Sequence, residues 1–228
     1  MKTRDEAAAR AWPVAAFGRL APMAEWLAAW QAEGPMVLRP LLAVFASTHG
    51  AAARGLAPAG EPDTQKQVEL MAAGGAPVNQ IALEIGMGLK VFDLALDMPT
   101  PDIGEDDALD EPACAATMAF GMEAIAGGAD LLCLGAVGSG NRAVAAALAA
   151  ALFGGRAEDW LEGLTPDVAE PAKALAEAAL ARTQGGNDPL ELLRKLGGRE
   201  MAAIAGAILA ARYQRIPVLL DGFVSTAA

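Results

Sequence analysis

Residues Asp130 to Ala143 read DLLCLGAVGSGNRA, and their types and spacing suit them to hold a ligand. Gly135, Gly138 and Gly140 stand among small residues, between the apolar run Leu131–Leu134 and an alanine-rich segment from about Arg142 to Leu152. The pattern predicts a buried strand that stops at Gly135, then a glycine-rich turn, then a helix. Such a turn aims unpaired backbone N–H groups at an anion. Small side chains let a phosphate approach the main chain, and the helix dipole adds roughly half a positive charge at that end. A phosphate-bearing small molecule is the ligand this chemistry favours. The glycine spacing is not the dinucleotide fingerprint, and the Lys-Ser/Thr pair of a P-loop is absent. A tight strand-to-helix turn with no ligand is the other reading of the same residues.

The elements around it must form a sheet. Leu41–Ser47 (LLAVFAS), Leu89–Leu96 (LKVFDLAL), Leu131–Leu134 and Ile216–Phe223 (IPVLLDGF) read as strands. The first has no polar alternation, which predicts a parallel sheet covered by helices. Helices are predicted from Thr64, as cap, to about Ala73, from Pro77 to Ile85, from Ala113 to Ala126, over Asp159–Leu164 and over Asp167–Arg182. Asp188-Pro189 supplies an N-cap and a first-turn proline, and Gly197-Gly198 ends the helix they begin. Residues 199–214 form a further helix whose Ala202, Ala203, Gly206 and Ala210 make a face for close packing. Leu20, Met23, Leu27 and Trp30 fall on one face of a helix over 20–31, expected to pack on its own domain. Pro99–Pro112 is a Pro- and Asp-rich loop, residues 184–187 (QGGN) a break, and Ser225 the beginning of a helix that does not continue.

This alternation is an α/β fold: a Rossmann-like parallel sheet flanked by helices with right-handed crossovers and a small helical N-terminal appendage. Residues 1–36 form the N-terminal helical segment, part of a small helical domain, and 37–228 the α/β nucleotide-binding domain. In such sheets ligands sit beyond the carboxyl ends of the strands. His49, Asp97, Gly135–Asn141 and Asp221–Ser225 all follow strands and are expected to converge on one rim.

Composition narrows the partners. Apolar residues make up 54% of the 228 and charged residues 20%, enough for a real core. A net charge of −11 argues against nucleic acid and against anionic membrane surfaces. Cys114 and Cys133 have neither disulfide-framework nor metal spacing, so no metal site is expected and a reducing cytoplasm fits. Cys133 reads as a buried small hydrophobe. The N-terminus holds no apolar stretch of signal-peptide length, and the longest apolar run, Ala143–Phe153, is too short to span a bilayer.

Several segments together resemble one family, the nicotinate-nucleotide–dimethylbenzimidazole phosphoribosyltransferases, which make the lower-ligand nucleotide of cobalamin. Gly18-Arg19-Leu20, His49-Gly50 with Gly55, Gly74–Asn79 (GGAPVN) and Glu111-Pro112-Ala113 are each similar to a family segment. Asp130–Asn141 resembles the family's glycine loop, Gly197–Ala203 (GGREMAA) its Gly-Gly-x-Glu helix, and Ile216–Phe223 its closing motif. The resemblance runs from Gly18 to the last residue. It implies a Rossmann-like large domain, a small helical domain, a homodimer, no cofactor, and a site for nicotinate mononucleotide and a benzimidazole. The reaction it implies is attack of a ring nitrogen of 5,6-dimethylbenzimidazole on the anomeric carbon of the mononucleotide, with nicotinate leaving.

Carried over residue by residue, the resemblance implies that Gly138, Gly140 and Asn141 offer donors to the phosphate. Arg142 is not the family residue, yet it lies where a guanidinium can clamp a phosphate. Gly197 and Gly198 either allow close backbone approach near the ribose or merely end a helix. Asp221, Gly222 and Ser225 form the other wall, unless Asp221 is a structural strand-end residue. His49, the lone histidine, reads as a structural group ahead of a catalytic one. The departures bear on chemistry. The family's Gly-Glu-Met is Gly135-Ala136-Val137 here, its Thr-Thr after the Asn is Arg142-Ala143, its Tyr-Pro-Gln is Ala59-Gly60-Glu61, and a Gln near the base aligns with Lys66. The family continues past the closing motif, and its general-base glutamate lies in that later segment. Glu61 and Glu200 are the substitute candidates for a base, and the catalytic residues are unassigned. Two functions therefore stand at this point: a phosphoribosyltransferase, or a non-catalytic nucleotide- or base-binding homologue that has lost both site carboxylates.

Overall fold

The computed structural model describes residues 18–31, 36–58, 60–61, 63–183, 186 and 188–228. Four parallel strands, β1 (Pro40–Ala46), β2 (Gly88–Asp93), β3 (Leu131–Val137) and β4 (Val218–Leu220), form a sheet in the order β2-β1-β3-β4. The chain steps from β1 to one side for β2 and then returns to β1's other side for β3. The seam between β1 and β3 is thus a topological switch point, where α/β sheets open a crevice at their carboxyl edge.

The register sorts the side chains onto two faces. Leu41, Ala43, Phe45, Leu132 and Leu134 are buried against Ala124, Ile125, Ala203, Ile204, Ala207 and Ala211. Those partners come from α4 (Glu111–Ala124), the residue following it, and α8 (Arg199–Gln214). The small-residue face expected on α8 meets α4 backbone to backbone. A Cβ on Gly206 would fall 2.8 Å from the Met118 carbonyl carbon, and one on Gly121 would fall 2.6 Å from that of Ala203. On the other face α2 (Thr64–Ala72) and α3 (Pro77–Glu84) cover β1 and β2, where Met71 and Ala76 pack on Val44. That cover stops short of β4. Leu42, Cys133 and Leu219 share a row on this face, and Leu219 is exposed. Cys133 is therefore half-buried rather than buried as expected.

A second core surrounds α5 (Asn141–Phe153), whose residues Ala143–Ala150 are all buried. Around it lie α6 (Pro166–Arg182), α7 (Pro189–Leu196) and α9 (Phe223–Ala227). The alanines let these helices close on it from several sides.

Several expectations are corrected. β3 runs on through Gly135 to Val137, pairing Gly135 with Val44 and Val137 with Ala46. The α2 cap is Asp63, whose carboxylate accepts the Lys66 N–H at 2.8 Å; Thr64 is buried instead. β2 ends at Asp93, because Ala95 turns left-handed with φ 58°. Residues 157–160 form a single 3-10 turn in place of a helix over 159–164. β4 keeps only three of the eight residues expected, since the Ile216 N–H bonds back to the Ala211 carbonyl at 2.8 Å and Phe223 starts α9. In α1 (Ala21–Trp30), the face expected to pack does so only toward its carboxyl end: Leu20 just before the helix and Met23 within it are 59% and 66% exposed, whereas Leu27 and Trp30 are half-buried. The helix is anchored by Trp30 of that face, which lies 5.6 Å beneath the Arg212 guanidinium, and by buried Ala28. Residues 1–17 and 32–35, which include most of the expected N-terminal segment, and positions 184, 185 and 187 of the QGGN break lie outside the described residues.

Candidate functional site

A cavity of about 620 Å³ opens over the carboxyl halves of β1 and β3. Its floor is apolar: Leu42 and Val44 from β1, Val137 and its neighbours from β3, with Met71 and Val78 from the covering helices. Its polar wall comes from two chain segments that follow strands, Asn141 and Arg142 at the start of α5, and Asp221–Ser225, which runs from the turn after β4 into the first residues of α9. Apolar walls with a few convergent polar groups are what a small-molecule site requires.

Asn141 is only 9% exposed and makes no side-chain hydrogen bond among the described residues, yet none of their fully buried side-chain nitrogens or oxygens is left unpartnered, so its amide opens to the cavity. It borders the cavity, where solvent can satisfy it and a ligand can take the solvent's place. Arg142 is exposed, and its Nη2 donates to the Glu162 carbonyl at 2.8 Å. Asp221 and Gly222 are exposed on the opposite wall. Gly222 takes φ 82°, a left-handed value that favours glycine, and it turns the chain from β4 into α9. Ser225 is buried, its hydroxyl donating to the Leu134 carbonyl at 3.3 Å, so it ties α9 to β3. Among the described residues lining the cavity, Arg142 and Asp221 are the ionisable ones.

The glycine turn is more engaged than its composition implies. The Ser139 N–H donates to Thr64 Oγ1 at 3.1 Å, and the Asn141 and Ala143 N–H groups donate to the Gly138 and Gly140 carbonyls at 3.1 and 3.0 Å. The amides of Gly138, Gly140 and Arg142 have no acceptor among the described residues. Gly138 and Gly140 themselves stand behind the lining. A Cβ on Gly138 would fall 2.9 Å from the Ser47 carbonyl oxygen and 3.3 Å from His49 Nε2. Gly140 has φ 83°, and a Cβ there would fall 3.1 Å from the Leu56 side chain. Both positions thus have packing reasons to be glycine.

Gly197 and Gly198 are buried away from the cavity lining, at the start of α8. They adjoin a buried polar cluster of Ser47, His49, Thr100 and Glu200. Glu200 accepts from the Ser47 hydroxyl and from His49 Nε2, the latter at 2.9 Å. Burial alone pushes the Glu200 carboxyl up; the His49 charge, the hydrogen bonds from His49 and Ser47, and its own backbone N–H outweigh that and hold it below the ordinary carboxylate range. It is enclosed and outside the cavity wall, so it is not placed to take a proton from a molecule there. Glu61 is exposed and also absent from that wall, and Lys66 pairs with Asp63 at 3.0 Å. The Glu200–His49 pairing escaped sequence reasoning because its partners lie 151 residues apart with no local signature. Among the described residues no group of three or more His, Cys, Asp or Glu could hold a metal, and no helix is long and apolar enough to cross a membrane.

Comparison with known proteins adds a lineage to this geometry. A family model described as phosphoribosyltransferase matches residues 1–228. The nicotinate-nucleotide–dimethylbenzimidazole phosphoribosyltransferase of Rhizobium rhizogenes is 56% identical over 220 residues, which span 95% of this chain and 65% of that protein. The protein of the same name from Agrobacterium fabrum is 55% identical over 220 residues, spanning 95% of this chain and 64% of its own. The crystal structure of the protein so named from Thermus thermophilus superposes with a TM-score of 0.87 at 31% identity, covering 100% of this chain and 76% of that one. The chain spans about 65% of the length of the curated relatives it matches.

Proposed function

The chain belongs to the nicotinate-nucleotide–dimethylbenzimidazole phosphoribosyltransferase family, and from that premise we propose that its cavity binds nicotinate mononucleotide. The observation that carries this reading is Asn141: a mostly buried residue whose amide makes no hydrogen bond among the described residues and opens onto the wall of a cavity at the β1–β3 switch point. In this reading the unpaired amides of the Gly138–Arg142 turn and the Asn141 side chain receive the phosphate. Arg142 turns from the Glu162 carbonyl to the phosphate, gaining a charge-assisted hydrogen bond. Asp221, Gly222 and Ser225 border the ribose, and the apolar floor of Leu42, Val44 and Met71 takes an aromatic base. Gly197 and Gly198 act at one remove, through the cluster they adjoin.

The reaction proposed is phosphoribosyl transfer to a benzimidazole of the 5,6-dimethylbenzimidazole type. The unprotonated ring nitrogen of the base forms a bond to the anomeric carbon, the bond from that carbon to nicotinate breaks with its electron pair going to the pyridine nitrogen, and the proton on the base's other ring nitrogen passes to water. Asp221 supplies negative charge as the sugar becomes cationic. The protein partner in this reading is a second copy of the chain.

A second reading is favoured by a specific observation. Ala136 stands on the cavity wall where the family pattern has a glutamate, and Glu200 is sealed elsewhere. A binder that holds the nucleotide without turnover fits those facts. Incubation with nicotinate mononucleotide and 5,6-dimethylbenzimidazole, followed by chromatography for the ribazole phosphate, separates the two. Product supports the transferase. Calorimetric binding without product supports the binder, and neither binding nor product ends both. In the binding arm, Asn141→Ala is expected to weaken nicotinate mononucleotide about tenfold, the order expected for one lost hydrogen bond to a charged group.

A further inference from the structure

The carboxyl end of β1 holds a buried carboxylate–imidazole pair, Glu200 and His49, that the cavity does not touch. Ser47, His49, Thr100 and Glu200 are all essentially buried. Enclosing a carboxylate is costly unless it is paired and hydrogen-bonded. This one is fully partnered, and its partners reach three segments around the cavity. An ionised carboxylate only accepts, so His49 Nε2 carries the proton in the 2.9 Å bond to Glu200. His49 Nδ1 faces Thr100 Oγ1 at 3.5 Å, and the Gly50 N–H donates to the Thr100 carbonyl at 2.7 Å. The Ser47 N–H donates to the Val137 carbonyl at 3.0 Å, so the end of β1 grips the end of β3 just before the glycine turn.

The imidazole is also wedged sterically. On one side is Gly138, where an added Cβ would come within 3.3 Å of Nε2. On the other is Gly198, where one would fall 2.5 Å from Glu200 Oε2, with His49 Cε1 nearer still. The ring is thus a spacer between the glycine turn and the start of α8, and the Glu200 carboxylate holds it at one angle. We propose that Glu200, acting through His49 and Ser47, is the positioning residue for the Gly138–Asn141 turn, setting where the Asn141 amide stands on the cavity wall. Its consequence for binding rests on the nucleotide reading above; its effect on the turn does not.

Two variants test this in the full chain. Glu200→Gln keeps the shape and removes the charge. Gly198→Ala keeps both side chains and pushes on the ring, at a residue whose φ of −124° any side chain accepts. Amide hydrogen exchange, read by mass spectrometry at a temperature where both variants are folded, is the main measurement. We expect exchange in residues 137–143 to rise at least tenfold in each variant, with residues 166–182 within twofold of wild type. Calorimetry at the same temperature is expected to show nicotinate mononucleotide binding at least tenfold weaker. Unchanged exchange in 137–143 in a folded variant overturns the proposal, and so does an equal rise throughout the chain, the mark of a merely structural pair. If Glu200→Gln fails to fold, Gly198→Ala decides by the same criteria. If the wild type does not bind the nucleotide while the turn loosens as described, the nucleotide reading fails and the positioning role stands.

Discussion

Replacing Gly206 by Ala tests how α8 is held, and α8 carries Gly198 and Glu200 at its start. In an open helix the change is favourable by about 1 kcal/mol, because Gly is a poor helix former. At Gly206 the new Cβ would sit 2.8 Å from the Met118 carbonyl carbon and 3.0 Å from its Cα, with the carbonyl oxygen closer. Ordinary contact begins at 3.4 Å, so the two backbones must part by at least 0.6 Å. No rotamer relieves a methyl group pressed on main chain. Overpacking of this kind costs about 3 kcal/mol, the upper part of its usual range. The balance is a loss of about 2 kcal/mol, which lowers the melting temperature of a domain this size by roughly 4–8 °C. Differential scanning calorimetry of Gly206→Ala against wild type measures it. A melting temperature equal to or above wild type would refute the close α4–α8 crossing and the placement of the α8 start with it.

Two further outcomes follow from particular contacts. Thr64→Val leaves the half-buried Ser139 N–H without its acceptor and is expected to lower stability by about 1 kcal/mol in urea denaturation, whereas Thr64→Ser restores most of it. For Asp107, burial alone pushes the carboxyl up, but hydrogen bonds from Arg182 and Arg194 outweigh it and hold the group below its ordinary value. A depressed carboxylate contributes stability that is present above its unfolded pKa of about 3.9 and is lost as pH falls through the folded value. The gap in urea midpoint between wild type and Asp107→Asn is therefore expected to be larger at pH 7 than at pH 3; an equal gap at both would remove that pair from the acid response.

The parts of the fold written in local chemistry were readable from sequence. Asp188-Pro189 begins α7, Gly197-Gly198 separates it from α8, and α8 spans residues 199–214 as expected, because caps and breakers act within a few residues. Strand ends were less legible. An apolar run does not distinguish the three residues of β4 that pair from Ile216, whose N–H closes the preceding helix, or from Phe223, which opens the next. Ala95 at φ 58° ends β2 without a glycine to announce it. At the site, the sequence pointed to the turn and to Asp221–Ser225, and the cavity lies between those segments. It did not reveal that Thr64 occupies one turn amide, or that Glu200 and Ser47 close on His49, since both are contacts between distant segments.

The central claim is that the cavity at the β1–β3 seam receives a ribose phosphate on the turn before α5. Backbone amide NMR of the labelled chain, titrated with nicotinate mononucleotide, tests it most directly. Saturable shifts concentrated in residues 135–142 and 221–225 are expected. A separate groove of about 750 Å³ lined by Arg156, Glu158, Lys173 and Thr183 is the built-in control, its charges already paired at 2.6 Å (Arg156–Glu158) and 2.7 Å (Lys173–Glu158). Shifts confined to that groove, or none at saturating nucleotide, would contradict the account.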